Sequence, residues 1–245
     1  HRSTRGWSYG ASVSDPRTGE IIKGHVSLGS LRVRQDFLIA EGLVGPYKNG
    51  TGSDKMLKMS LARLRQLSAH EVGHTIGLAH NYGASYNDRA SVMDYPHPTI
   101  TLDKDGKVFL ENAYATGIGE WDKESIKFGY SEASKAERTA TLNNAFERGL
   151  KYITDQDARP AGSAHPYAHL WDNGKDAADE LNNLLKIRKK VLSDFSTDYI
   201  ADGTPYSSIE EVLVPMYFLH RYQIEATAKV IGGLNYSYAV KGEND

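Results

Sequence analysis

The chain has 245 residues, a formal net charge of -2 and 40% hydrophobic residues, enough for one large domain or two small subdomains with a real core. Its 29 Lys and Arg residues nearly balance 31 Asp and Glu residues, and neither a basic stripe nor a long apolar run occurs, which argues against a nucleic-acid partner and a transmembrane segment. Cysteine is absent, so any metal must be bound by His, Asp, Glu or Tyr.

The N-terminal part of the chain predicts two strands and a helix. Both strand segments are rich in β-branched or aromatic residues, and Asp15 to Gly19 between them supplies Pro and Gly at turn positions. The glycines Gly42 and Gly45 are expected to end the helix. The predicted elements are strands over residues 7–13 and 20–28 and a helix over residues 31–43.

A long second helix is predicted after the Gly/Asn loop at residues 47–53. Ser53 or Asp54 can cap its start, and the helical pattern runs to about Ile76. Apolar residues recur with helical spacing and are expected to face the core. This predicted apolar stripe consists of Leu57, Leu61, Leu64 and Val72.

The helix ends in the string HEVGHTIGLAH, which begins at His70. Because His70 and His74 are four positions apart, one helix face presents both imidazoles to a single ion. A straight helix would carry His80 away from that ion, but Gly77 can adopt a positive φ, end the helix and return the chain. Three neutral nitrogen ligands leave a position for water, which is typical of a catalytic zinc site. The string therefore predicts one Zn²⁺ per chain, bound by His70, His74 and His80.

Glu71 follows the first of these histidines directly. Its carboxylate is expected near the metal without binding it, where it can take a proton from zinc-bound water and pass it to a leaving amine. Such general-base catalysis typically accelerates a reaction by ~10²–10⁴. Glu71 is therefore the predicted catalytic base.

The remainder of the chain is predicted to be mainly helical. Before those helices come a loop from Asn81 to Pro98 and a hairpin over residues 100–110, which turns at Asp105 and Gly106. The opening of that turn looks like a calcium loop but lacks the bidentate Glu at the required spacing. The predicted helices cover roughly residues 123–128, 134–153, 175–199 and 207–231, with a loop over 154–173. In that loop, His165 and His169 permit a second metal, although no third ligand completes a motif.

These elements predict an α+β fold in which a small N-terminal sheet and a long zinc-binding helix precede a mainly helical C-terminal subdomain. The predicted boundaries are 1–98 for the α/β subdomain, which includes the zinc helix, and 99–245 for the helical subdomain. A cleft is expected between them, and together they form one catalytic domain.

The zinc string and the downstream segment Ser91-Val92-Met93-Asp94-Tyr95 resemble the metzincin metallopeptidases, which combine an extended zinc motif with a methionine turn. The resemblance implies that Met93 forms an apolar floor beneath the ligands without coordinating the metal. It also implies that Tyr95 acts as a fifth ligand or as a hydrogen-bond donor to the oxyanion. The chain departs from the best-known subgroups at Asn81, where they usually carry an acidic residue or Ser.

Several further segments look like those of a family of large bacterial zinc-dependent metalloproteases that were long described only as domains of unknown function. This resemblance implies a peptide or protein substrate, a periplasmic, extracellular or cell-envelope location, and additional domains in a longer parent chain. Metzincins usually carry several strands ahead of the zinc helix, whereas about two are predicted in this chain. The matching segments are residues 15–30, 89–96, 119–122 and 168–174.

The leading hypothesis is a zinc-dependent endopeptidase. An extended peptide would pair with a strand edge in residues 20–28, and pockets near Met93 would set the side-chain preference. One alternative is an inactive peptide- or glycan-binding module on the same fold, although retention of Glu71 argues against it. A second alternative is a zinc hydrolase of a non-peptide amide, which needs the same metal chemistry.

Overall fold

The computed structural model describes residues 7–48 and 53–241. Helices predominate and two small two-stranded sheets accompany them, which confirms the predicted α+β fold. Residues 49–52 of the predicted loop over residues 47–53 lie outside the described residues. The strands and helices are β1 (Tyr9–Ser14), β2 (Ile21–Ser27), α1 (Ser30–Val44), α2 (Ser53–Thr75), β3 (Thr101–Leu102), β4 (Val108–Phe109), α3 (Glu120–Tyr130), α4 (Lys135–Glu147), α5 (Asp155–Ala158), α6 (Ala177–Asp194), α7 (Ile209–Tyr217) and α8 (Arg221–Gly232).

Strands β1 and β2 form the predicted antiparallel hairpin, whose turn is closed by a hydrogen bond from Asp15 N to Glu20 O at 2.9 Å. The hairpin packs against α2. At Gly10 the two backbones are so close that a methyl group would lie 1.9 Å from the Glu71 carbonyl oxygen. The hairpin therefore covers the segment of α2 that carries the predicted catalytic base.

Helix α2 confirms the long predicted helix, but the apolar stripe assigned to it is wrong. Leu57, Leu61 and Val72 are 52%, 49% and 50% exposed. The buried face lies one residue earlier along the helix, where Met56 and Met59 join the largest apolar cluster. The polar residues Arg63, Gln66 and His70 continue this buried face. Arg63 donates to Gln66, and Gln66 and His70 are hydrogen-bonded to the Val92 carbonyl outside the helix.

Several helix boundaries also differ from the sequence prediction. Gly42 lies inside α1, where Met216 packs against it, and the helix ends at Gly45. Helix α4 stops at Glu147 rather than near residue 153. The helix predicted over residues 207–231 is two helices, α7 and α8. Pro215 lies within α7 and lacks the N–H that an interior helical residue donates, and α7 ends two residues after it.

Two apolar clusters support the region around the histidine string. The larger cluster contains residues of α1, α2, α6, α7 and the short β3–β4 hairpin. A smaller one lies under the segment that follows the string and consists of Tyr82, Ile153, Ala158 and Ala168. Since the larger cluster draws on both sides of residue 98, the division into subdomains at that residue stays a prediction.

The methionine turn is attached to α3 through Asp122, which is 1% exposed. Its carboxylate accepts hydrogen bonds from Ser91 Oγ at 2.5 Å, Val92 N at 2.8 Å and Gly119 N at 2.7 Å. The bonds to Ser91 and Val92 come from the turn itself, whereas the bond to Gly119 fixes the start of α3. Asp122 therefore orients the turn that carries Met93.

We expect Asp122→Ala to destabilise the protein by about 3 kcal/mol or more, because two buried donors, Ser91 and Val92, and the part-buried N–H of Gly119 lose a shared acceptor. Each unsatisfied buried donor costs about 1–3 kcal/mol. The free energy of unfolding in a denaturant titration measures this. Lys123→Ala is the control, since the Lys123 side chain is exposed on the same helical turn, where it pairs with Glu120. An Asp122→Ala variant as stable as this control would contradict the anchoring role.

Candidate metal centre

Helix α2 ends where the sequence predicts, at a glycine between the second and third histidines. Gly77 has a φ of +89°. Its N–H donates to His74 O at 3.1 Å, and the N–H of Leu78 donates to Gly73 O at 3.0 Å. This pair of hydrogen bonds is the Schellman pattern that closes a helix at a left-handed residue. The chain then turns back, and His80 comes to lie beside the other two histidines.

His70, His74 and His80 form one cluster whose potential ligand atoms all lie within 4.8 Å of one another. The Nε2 atoms of His74 and His80 are 3.2 Å apart, and the imidazole centroids lie 4.7 to 5.2 Å apart. In residues 7–48 and 53–241 this is the one cluster of three or more His, Cys, Asp or Glu side chains with such geometry. The structure thus brings together the three predicted ligands.

Each imidazole in the cluster has an oxygen acceptor on its Nδ1 side. His70 Nδ1 lies 2.7 Å from Val92 O, His74 Nδ1 lies 2.8 Å from Leu78 O, and His80 Nδ1 lies 2.9 Å from Asp155 Oδ2. We assign the ring proton to Nδ1 in all three rings from these acceptors. The Nε2 atom of each ring then carries no proton, and those of His74 and His80 lie 3.2 Å apart, an arrangement that fits a cation bound by all three rings.

For two of the three histidines, His70 and His80, burial favours the neutral form that a metal requires. Burial lowers the pKa of His70 to about 3, and it also lowers the pKa of His80, although the bond to Asp155 opposes this second shift. Because neutral imidazole is the form that binds zinc, protons do not compete effectively for these two rings near neutral pH.

Glu71 is 4% exposed and lies between the hairpin and the histidine cluster. Burial raises the pKa of its carboxyl group, whereas the electrostatic interaction with His74 and a hydrogen bond from the Gly10 backbone N–H oppose this increase. A carboxylate with a raised pKa is a stronger base than one in water. The surroundings of Glu71 therefore suit proton transfer.

Met93 is 1% exposed and packs against the zinc helix at Gly73. A methyl group at Gly73 would lie 2.3 Å from Met93 Sδ, so only glycine leaves room for this contact. The Met93 carbonyl also accepts a hydrogen bond from Asn81 N at 3.1 Å. Met93 thus contacts the helix turn between His70 and His74 and supports the backbone next to His80.

Tyr95 lies beside the histidine cluster, with ring centroids 5.5 Å from His70 and 4.8 Å from His80. Burial raises the pKa of its phenol, so the hydroxyl keeps its proton near neutral pH. The hydroxyl is hydrogen-bonded to that of Tyr82, and the ring stacks on Trp171 at 5.9 Å. The residue is therefore placed close to the ligands, with a polar group that can donate.

Asp155, whose carboxylate contacts the third histidine, was not predicted from the sequence. No motif distinguished it, because it lies 75 positions after His80 in a segment predicted to be loop. The second metal suggested for His165 and His169 finds no support, since His165 Nε2 donates to Tyr236 O at 2.9 Å and its Nδ1 accepts from Tyr167 N. Both nitrogens of His165 are thus engaged with backbone atoms.

A cavity of about 660 Å³ lies behind the turn that carries the third histidine. Its walls are largely apolar and aromatic, and the C-terminal segment at residues 236–239 closes one side. Residues from both predicted subdomains contribute to it. The cavity is bordered by Leu78, Ala79, Met93, Trp121, Phe128 and Phe146, among others.

Comparison with known proteins agrees with this geometry. A protein-family model described as Met-zincin matches residues 52–245, which include the zinc helix, the methionine turn and the helical half. Searches of curated proteins and of solved structures found no match. Among the described residues, no helix is both long and apolar enough to span a bilayer. The match covers most of the chain and includes its three clustered histidines, and the chain therefore belongs to the Met-zincin family, which implies a zinc metallopeptidase.

Proposed function

We propose that the chain is a zinc-dependent endopeptidase that binds one zinc ion per chain through His70, His74 and His80. The observation that carries this proposal is the convergence of three histidines whose ligand atoms lie within 4.8 Å of one another, with the buried Glu71 next to His70 on the same helix. A structural zinc site has no need of an adjacent base, whereas hydrolysis requires one. When bound, zinc supplies a Lewis acid that polarises the peptide carbonyl and lowers the pKa of a coordinated water.

The residues of the chain then divide the proton transfers between them. Glu71 accepts a proton as the water oxygen bonds to the carbonyl carbon, and it delivers that proton to the amine nitrogen as the carbon–nitrogen bond breaks. Tyr95 donates a hydrogen bond to the oxygen that becomes negative when the tetrahedral species forms. Gly77 and Met93 hold the ligand-bearing backbone in place.

The substrate in this proposal is an extended peptide or protein segment that pairs with the exposed edge of the β1–β2 hairpin. The large cavity next to Met93 supports a preference for apolar or aromatic side chains. We place the protein in the periplasm, the extracellular space or the cell envelope, as part of a longer chain, and we assign it no nucleic-acid partner. A peptide-binding module without activity has no use for Glu71 as a general base, whereas the burial and raised pKa of its carboxyl group suit that role.

Replacement of the third ligand tests the metal site. We expect the wild type to contain close to one zinc per chain and His80→Ala to lose most of it, since two imidazoles cannot complete the site. Elemental analysis of purified protein after dialysis gives the ratio. His25→Ala, an exposed histidine of β2, is the matched control and should retain its zinc. Unchanged zinc in His80→Ala would refute the assignment of the third ligand.

The general base is tested by Glu71→Gln, which keeps the side-chain shape and removes the proton acceptor. We expect zinc content to stay at the wild-type level while kcat falls by ~10²–10⁴. A peptide-library digest defines a substrate, and wild type treated with a chelator serves as the inactive reference. Full turnover by the variant would rule out the base role, and a wild type without chelator-sensitive cleavage would contradict the proposed peptidase function.

The role of Tyr95 is tested by Tyr95→Phe, which keeps the ring packed on Trp171 and removes only the hydroxyl. If the hydroxyl stabilises the oxyanion, kcat falls by ~10²–10³ while zinc content and thermal midpoint stay near wild type. Tyr199→Phe, a buried tyrosine in a separate apolar cluster, controls for the loss of a phenol elsewhere. Equal kcat in both variants would show that Tyr95 is structural.

A further inference from the structure

The third histidine is held differently from the other two. The Nδ1 atoms of His70 and His74 lie against backbone carbonyls, whereas His80 Nδ1 lies against a carboxylate, at 2.9 Å from Asp155 Oδ2 and 3.1 Å from Oδ1. His80 also lies beyond the end of α2, so helical geometry does not orient its ring. Its orientation therefore depends on the residue that it contacts.

Asp155 is itself held in place by two neighbours. Its Oδ1 accepts a hydrogen bond from Arg159 Nη1 at 3.0 Å, and the Tyr82 hydroxyl lies 3.4 Å from the same oxygen. The Arg159 guanidinium also lies 5.9 Å from the centre of the Tyr95 ring. Since Oδ2 makes the shorter contact with His80, the carboxylate can hold the imidazole with one oxygen while Arg159 fixes the other.

The backbone that leads to Asp155 is joined to the segment that follows His80. Asn81, which is fully buried, donates from Nδ2 to Lys151 O at 2.8 Å, and its Oδ1 accepts from Ile153 N at 3.2 Å. The Tyr82 N–H donates to Ile153 O at 3.0 Å. These bonds align the two segments, so Asp155 arrives beside His80 as a consequence of the fold.

We propose that Asp155 is a positioning residue for the third zinc ligand, a role that rests on the proposed zinc site. By accepting the Nδ1 proton of His80, the carboxylate holds the ring in the tautomer whose Nε2 faces the metal. Because the acceptor is a charged carboxylate, it makes His80 Nε2 a stronger electron-pair donor to the metal than a backbone carbonyl acceptor would. Arg159 is the positive neighbour that balances the charge of Asp155 at the protein surface.

The experiment compares zinc affinity in Asp155→Ala, Asp155→Asn and the control Asp157→Asn. Asp157 lies in the same short helix, but its carboxylate accepts from Tyr238 rather than from a zinc ligand. Competition with a chromophoric chelator gives the Kd for zinc. We expect a Kd weaker by ~10–100-fold in Asp155→Ala, a smaller loss in Asp155→Asn, whose amide oxygen still accepts, and the wild-type value in Asp157→Asn.

A second readout separates positioning from loss of folding. In the cobalt-loaded proteins, the visible absorption bands of the metal should shift in both Asp155 variants and stay unchanged in Asp157→Asn. The thermal midpoint of each metal-free protein identifies a variant that fails to fold. If Asp155→Ala fails to fold, the Kd and cobalt bands of Asp155→Asn test the proposal, because this variant conserves the side-chain shape. Wild-type Kd and cobalt bands in the folded Asp155 variants would overturn the proposal.

The same measurements distinguish this inference from the proposed function. If the wild type binds neither zinc nor cobalt, both the proposed metal site and the positioning role are contradicted. If the wild type binds both metals and the folded Asp155 variants bind them equally well, only the positioning role is contradicted. No measurement of peptidase activity is needed for either conclusion.

Discussion

The geometry of the metal centre depends on the backbone of Val92, which joins three parts of the chain. Its carbonyl accepts hydrogen bonds from His70 Nδ1 at 2.7 Å and Gln66 Nε2 at 3.1 Å, and its N–H donates to Asp122 Oδ2 at 2.8 Å. The N–H and the carbonyl belong to successive peptide groups on either side of the Val92 Cα, so the bonds to both connect the zinc helix to α3 through the methionine turn. Because Asp122 is buried and accepts the bond from the Val92 N–H, loss of its carboxylate leaves that donor unsatisfied.

The same connection explains why an apolar pattern misplaced the buried face of α2. From Gln66 the polar contacts continue to Arg63, whose guanidinium donates to Gln66 and lies 5.5 Å from the centre of the Tyr114 ring. The Tyr114 hydroxyl donates to Asp36 of α1. The packed face of α2 therefore carries charged and amide groups that form a network, whereas Leu57 and Leu61 remain half exposed. A hydrophobic periodicity cannot identify a face that is buried through hydrogen bonds.

Local features of the sequence predicted much of the fold and the centre of the site. The spacing of His70 and His74 and the position of Gly77 act within two helical turns, and the β1–β2 turn is equally local. Contacts between distant segments could not be predicted in this way. Asp122 lies 30 positions after Val92, and Asp155 lies 75 positions after His80. Each is an ordinary acidic residue in a helix until the fold places it against its partner.

The one departure from the familiar zinc motif, Asn81, has a physical reason in this structure. The residue after His80 must donate to Lys151 O and accept from Gly83 N and Ile153 N. An amide side chain offers both functions, whereas an ionised carboxylate only accepts. An acidic residue at position 81 would therefore disrupt the alignment of residues 151–153. The carboxylate that neighbours the third histidine comes instead from Asp155, which that alignment delivers to His80.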